Sequence, residues 1–297
     1  MPRSQYRPDG QPDYGHRFHA GNVGDVWKHV ALVAILRAIA RGAGHVAYLD
    51  THAGEGTYRL GPTGEWSEGI GRLWSGDPLP DGALADYMAL CRRLGRGGAR
   101  PEEYPGSPAF ARAVLGLAAS LRLWERDVTA ATRLATHLVS DPHARLTCGD
   151  GLSSLRDELA AAAADADAVV ALIDPSWSQK ADWTAIPDAL ARAATGCPRA
   201  CLVLWYPVKS LTRPNAMIAR LQTAGVSATI AELITTPFGA HRNRLNGSGV
   251  VVVNAPVGAI EALAGAAPRL GAACATQGGT WSFRSSSWRG AGAPRAG

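Results

Sequence analysis

The residues best equipped for chemistry lie where short apolar runs end. The run Ala168 to Ile173 leads straight into Asp174, Pro175, Ser176 and Trp177: a carboxylate, a rigid turn and a flat ring. Such a set can grip a planar nitrogenous base, with the carboxylate accepting hydrogen bonds from an exocyclic amine and the indole offering a stacking face. The run has the length of a strand buried on both faces, as in a parallel sheet. Its carboxyl end is where open α/β sheets keep their ligand crevice. Three earlier runs also end in acids: His45 to Leu49 in Asp50, Leu121 to Trp124 in Glu125, and Ala144 to Cys148 in Gly149-Asp150-Gly151.

Acids at neighbouring strand ends accept hydrogen bonds from ribose hydroxyls and from the amino group of an adenine. So much negative charge serves a phosphate-rich cofactor poorly. A cofactor that joins an adenosine to a cation suits it better, and S-adenosylmethionine is such a molecule. The first strand runs into D-T-H-A-G-E-G (Asp50 to Gly56), whose glycines let backbone approach a ligand, although G-x-G-x-x-G is missing and a plain turn reads equally well. Rival chemistries lack support. The histidines His16, His19, His29 and His52 show neither H-x-x-x-H nor H-E-x-x-H, so no metal is expected, and no G-x-S-x-G nucleophile motif occurs.

The elements that must position these residues alternate regularly from Leu121 onward: strand, helix, strand, helix, through strands near Ser227 to Leu233 and Gly249 to Asn254. That pattern predicts an α/β doubly wound sheet. Ahead of it, Gly24 to Arg41 reads as a helix that carries Lys28 and His29, both ordinary helix residues by spacing alone. Between the first two strands lie some seventy residues, where a crossover needs about thirty. Residues 57–104 are therefore expected as an inserted helical subdomain, with a helix at Ala83 to Leu94 and with Arg92, Arg93, Arg96 and Arg100 available to a nucleic-acid backbone or to solvent. Residues 1–56 and 105–282 form the core, and 283–297, rich in Ser, Gly and Arg, a flexible tail.

Composition narrows the class. With 297 residues, 46% hydrophobic and 19% charged, the chain is a globular protein with a full core. Its net charge of +5 suits a polyanionic partner, but only three of its thirty basic residues are lysine, which composition bias explains equally well. Five cysteines without framework or zinc spacing read as buried free thiols. The N-terminus has no apolar signal segment, and no run of 18 apolar residues occurs, so a cytoplasmic protein is expected.

Several motifs together carry a resemblance that spans Tyr14 to about Pro256. They are Y-G-H-R-F-H-A-G-N-V-G-D-V-W-K-H, Y-L-D-T-H-A-G-E-G-T-Y, Y-P-G-S-P, the strand-end Glu125, G-D-G, L-I-D-P, L-W-Y-P-V and N-G-S-G-V-V-V-V-N. In these the chain resembles the RlmJ family, bacterial enzymes that methylate adenine N6 in 23S rRNA with S-adenosylmethionine. The resemblance implies a Rossmann-like class I methyltransferase fold with a helical insertion after the first strand. It further implies that Lys28, His29, His52, Ser107, Glu125, Asp150 and Gly151 bind the cofactor. Asp174 becomes the catalytic carboxylate, and Tyr14, with Pro175 and Trp177, faces the substrate, a 23S rRNA that is protein-free or an early precursor. At one place the chain departs from the family's D-P-P-Y: it has D-P-S-W. Serine at 176 frees φ and relaxes Pro175. Two alternatives thus stay open, a relative that only binds cofactor or RNA, and one that methylates another exocyclic amine.

Overall fold

The computed structural model describes residues 16–76, 79–239, 245–276 and 279–290. Tyr14, residues 240–244 and residues 291–297 lie outside them. The chain runs α1 (His16–His19), α2 (Val23–Ala40), β1 (Val46–Asp50), β2 (Thr57–Arg59), α3 (Ile70–Trp74), α4 (Ala83–Leu94), β3 (Glu103–Pro105), α5 (Ser107–Leu115), β4 (Ser120–Glu125) and α6 (Val128–Leu138). It continues through β5 (Ala144–Cys148), α7 (Gly151–Asp165), β6 (Ala168–Ile173), α8 (Asp182–Gly196), β7 (Cys201–Val208), α9 (Thr212–Thr223), β8 (Ala228–Ile234), β9 (Gly247–Val253), α10 (Ala259–Cys274) and β10 (Ser282–Trp288).

Eight strands form one sheet in the order β10-β8-β9-β7-β6-β1-β4-β5. β1 pairs in parallel with β4 on one side and β6 on the other, so Asp50 sits opposite both Leu123 and Leu172. From β1 the chain works outward to β5, then returns across β1 to β6. The two halves of the sheet part there, and the crevice at their carboxyl ends is the switch point of a doubly wound fold. β9 is antiparallel to β7 and β8, which places the last core strand between them.

Both faces are covered. Residues of α2, α4, α5 and α10 pack into one apolar core, and residues of α7, α8 and α9 into another. Every residue from Gly24 to Leu36 on α2 is buried, so this helix is a central member of its layer and not a surface amphipath. It begins where the Asn22 side chain accepts from Asp25 N at 2.9 Å, just as Asp150 starts α7 by accepting from Leu152 N at 3.0 Å.

Two expectations need correction, and one helix was hidden. The chain after residue 282 is no loose tail up to Trp288: β10 pairs antiparallel with β8, and the Trp288 indole donates to Val226 O at 2.7 Å. As an edge strand it exposes most of its serines, so its apolar signal is thin. The insertion contains the α4 helix as read, but also β2 and β3, which pair with each other. It does not stand apart as a subdomain, because Tyr87, Met88 and Tyr104 share the core of α2 and α10. Its arginines are exposed, as one of the two readings had them, and each also contacts its own chain: Arg92 with Trp74 O, Arg93 with Ala113 O, Arg96 with Glu103, and Arg100 with Gly61 O and the Trp66 ring. Helix α10 has no counterpart among the sequence expectations, since Ala and Gly dilute a buried face of Leu263, Ala267, Leu270 and Cys274. Of the five thiols four are buried, and Cys148 is exposed.

Candidate active site

The buried face of α2 passes over the carboxyl end of β6, and this brings Lys28 to Asp174. Lys28 Nζ lies 2.5 Å from Asp174 Oδ2 and 2.7 Å from Asp25 Oδ1, with the lysine only 3% exposed. A buried ammonium without partners is costly by several kcal/mol. Two carboxylates around one ammonium leave a single negative charge in excess. Burial alone would lower the Lys28 value, but Asp174 and Asp25 together outweigh it and hold the ammonium above the ordinary lysine range. Burial pushes the Asp174 carboxyl up to about 7, against the downward pull of Lys28. Asp25 was not foreseen as a site residue. Its signal was present in the D-V-W-K spacing, which puts Asp25 and Lys28 one helical turn apart.

The end of β1 is organised differently. Asp50 is fully buried, and its Oδ2 accepts from Tyr48 Oη at 2.7 Å and Ser107 Oγ at 2.6 Å, while Oδ1 accepts from His52 N at 3.2 Å. Burial raises its value despite these donors. Asp50 therefore lies beneath the crevice and does not line it, and the Ser107 hydroxyl is spent on Asp50. His52 is neutral, since burial lowers its imidazole to about 4. His29 bonds through Nδ1 to Tyr104 Oη at 2.7 Å and packs on Phe110 with ring centroids 4.8 Å apart. These contacts make it part of the floor under Lys28.

On β4 and β5 the acids are more open. Glu125 accepts from Gly54 N at 2.9 Å and Asp127 N at 2.8 Å, and burial raises its carboxyl against those two donors. Gly54 holds φ at +65°, and a Cβ there would come 1.9 Å from Tyr58 Oη, so only glycine fits this turn. Asp150 is exposed at the start of α7. Next to it, a Cβ at Gly151 would meet Thr51 Cα at 2.7 Å, so its absence lets α7 close onto the end of β1. Glu125, Asp150 and Gly151 thus come together on one side of the switch point, with Lys28 and Asp174 on the other.

The D-P-S-W turn departs most from expectation. Pro175 is buried and Ser176 exposed, the latter donating to Ser178 Oγ at 3.1 Å. Trp177 has φ +53°, the left-handed region, and only 6% of it is exposed. Its indole donates to Trp205 O at 3.0 Å, and its ring packs on Trp183 with centroids 4.3 Å apart. The open stacking face expected of Trp177 is not presented, because the turn swings the ring into the protein. Among the described residues no group of three His, Cys, Asp or Glu side chains is placed to hold a metal ion.

Comparison with known proteins agrees with this architecture. The family described as Ribosomal RNA large subunit methyltransferase D, RlmJ, matches residues 44–289. The chain is 34% identical over 249 residues to Ribosomal RNA large subunit methyltransferase J of Escherichia coli strain K12, covering 82% of this chain and 87% of that one. It is 32% identical over 253 residues to the protein of the same name from Haemophilus influenzae, with the same coverage. A crystal structure of a Legionella pneumophila protein superposes with a TM-score of 0.82 at 25% identity, over 92% of this chain and 99% of that one. Together with the switch-point crevice, these matches show that the chain belongs to the RlmJ family of ribosomal RNA large subunit methyltransferases.

Proposed function

We propose that the protein methylates N6 of an adenine in 23S rRNA with S-adenosylmethionine. The observation that carries this reading is the largely buried Asp174 carboxylate at the switch point, clamped by Lys28 and raised to about 7. Such a carboxylate accepts a hydrogen bond from an exocyclic amine, and in a dry site that bond draws the nitrogen lone pair out of the ring and aims it. The neighbouring Pro175 carbonyl is the second acceptor of this arrangement. As positive charge grows on the amine nitrogen, the excess negative charge of Asp25, Lys28 and Asp174 stabilises it.

The other side of the crevice fits the cofactor. Glu125 suits ribose hydroxyls, Asp150 an adenine amino group, and the bare backbone at Gly151 close approach. Neutral His52 adds no repulsion toward a cation. When bound, S-adenosylmethionine supplies an electrophilic methyl group on a sulfonium. Lys28, His29 and Ser107 support this site by holding Asp174, the aromatic floor and Asp50 in place.

The RNA is approached from the loops after β6 and β7, where Lys180, Lys209 and Arg213 are exposed beside the crevice and suit phosphates. The target base must leave its stack to reach Asp174, which favours protein-free 23S rRNA or an early precursor in the cytoplasm. No helix among the described residues is long and apolar enough to cross a membrane. Incubation with labelled cofactor and in vitro transcribed 23S rRNA should place label in N6-methyladenosine on nucleoside analysis. Folded, cofactor-binding protein that labels no adenine would sink the proposal and favour a relative that only binds.

A further inference from the structure

We infer that Asp25 is a positioning residue, which lets Lys28 hold Asp174 in place without neutralising it. Its part in transfer rests on the adenine-methylating reading above. The acid stands in the first turn of α2, where a carboxylate ordinarily faces solvent and complements the helix dipole. Here it is only 7% exposed, and its two oxygens have different partners. Oδ2 accepts from Gly21 N at 3.0 Å, which closes the turn ahead of the helix. Oδ1 accepts from Lys28 Nζ at 2.7 Å, and the same ammonium reaches Asp174 Oδ2 at 2.5 Å. Capping explains the first oxygen only.

Stability does not explain the second. One carboxylate already neutralises a buried ammonium, and each further buried charge adds a desolvation cost. Asp25 and Lys28 form a neutral pair within one helical turn, so Asp174 carries the charge in excess. The pair is also held from outside α2. Gly21, at φ +77°, accepts at its carbonyl from Ile70 N at 2.9 Å, and the Asn22 side chain donates to Glu65 Oε2 at 2.9 Å. A Cβ at Gly69 would come 2.2 Å from Gly21 O, so the insertion grips this turn closely. Glu65 to Ile70 thereby fix which oxygen Asp25 turns to Lys28. From β1, Asp50 and Tyr48 face Asp174, and from β3 Tyr104 does. Asp25 is faced by Tyr58 of β2 and by His19 of α1, which pairs with Glu65 at 2.9 Å. Burial keeps the three phenols neutral. Without the charge of Asp25, the Lys28 ammonium is left to Asp174 alone, which then gives up its proton at lower pH.

The test is a carbon-13 NMR titration of the aspartate carboxyls in the RNA-free protein, with the Asp174 signal assigned by its absence from Asp174→Asn. Asp25→Asn and Asp25→Ser both remove the charge, and both keep an oxygen that accepts from Gly21 N. In each, the Asp174 midpoint should fall by about one pH unit or more, whereas Lys28→Met should raise it. A residue that only capped α2 would leave the midpoint in place. Single-turnover methylation of in vitro transcribed 23S rRNA, measured above the midpoint, should slow about tenfold. S-adenosylhomocysteine affinity should stay within about a few-fold of the wild type. An unmoved or raised midpoint, an undiminished rate, or failure of both neutral variants to fold overturns the proposal. A wild type inactive on 23S rRNA overturns the adenine reading, and the midpoint then decides alone whether Asp25 acts on Asp174.

Discussion

The two sides of the crevice hold carboxylates by opposite means. On the β6 side, Asp174 is largely buried and held by a buried ammonium, and its proton affinity is set chiefly by burial. On the β4 and β5 side, Glu125 and Asp150 are held by backbone N–H groups and stay open to solvent to different degrees. Low dielectric magnifies every charge on the first side, while water screens the second. The role proposed for Asp174, polarising a weak nucleophile, calls for a place where screening is poor. On the proposed assignment, Glu125 and Asp150 recognise only hydroxyls and an amine, and they sit in the wetter half, where binding stays reversible.

The largest break in this contrast comes from Asp174→Ala. Loss of the acceptor should lower transfer by about a hundredfold or more, while cofactor affinity, measured by calorimetry, changes only a few-fold. Full activity would remove Asp174 from the chemistry. Next is pH. Below about 7 the Asp174 carboxyl is protonated and no longer accepts from the amine, so single-turnover rates should fall as pH drops through that value. Lys28→Met removes the group that pulls Asp174 down, and the acid limb should move upward by about one to three units. An unmoved limb would assign the titration elsewhere.

The wetter side should answer more mildly and in a different constant. Glu125→Gln should weaken cofactor binding by about tenfold, as for one charge-assisted hydrogen bond, with little change in the rate at saturating cofactor. Asp150→Asn should have the smallest effect, about a few-fold in cofactor affinity, because Asn still caps α7. Its melting temperature should match the wild type in calorimetry. A larger rate defect from Glu125→Gln than from Asp174→Ala would erase the division between the two sides.

The carboxylates themselves were legible early. Asp50, Glu125, Asp150 and Asp174 follow apolar runs, and the parallel sheet brings the first three to neighbouring strand ends, as the alternation implied. Which of them face a ligand was not legible. Asp50 looks like its neighbours in sequence, yet Tyr48 and Ser107 seal it off, and Ser107 lies 57 residues away. Sequence motifs also placed Lys28 near the site only through family resemblance, since its spacing on α2 is that of any helix residue.

What the sequence determined by itself was the class of fold, the strand ends that bear acids and the family. Strand burial and helical periodicity are local signals, read from a few residues at a time. What only the tertiary structure decided was protonation and orientation. The buried triad of Asp25, Lys28 and Asp174 exists because α2 crosses β6, and Asp174 and Lys28 are 146 residues apart. The φ of Trp177 and the close approach of Gly24 to Trp205 likewise depend on long-range packing. A carboxylate is named by the chain, but its proton affinity and its partner are set by whatever the fold packs around it.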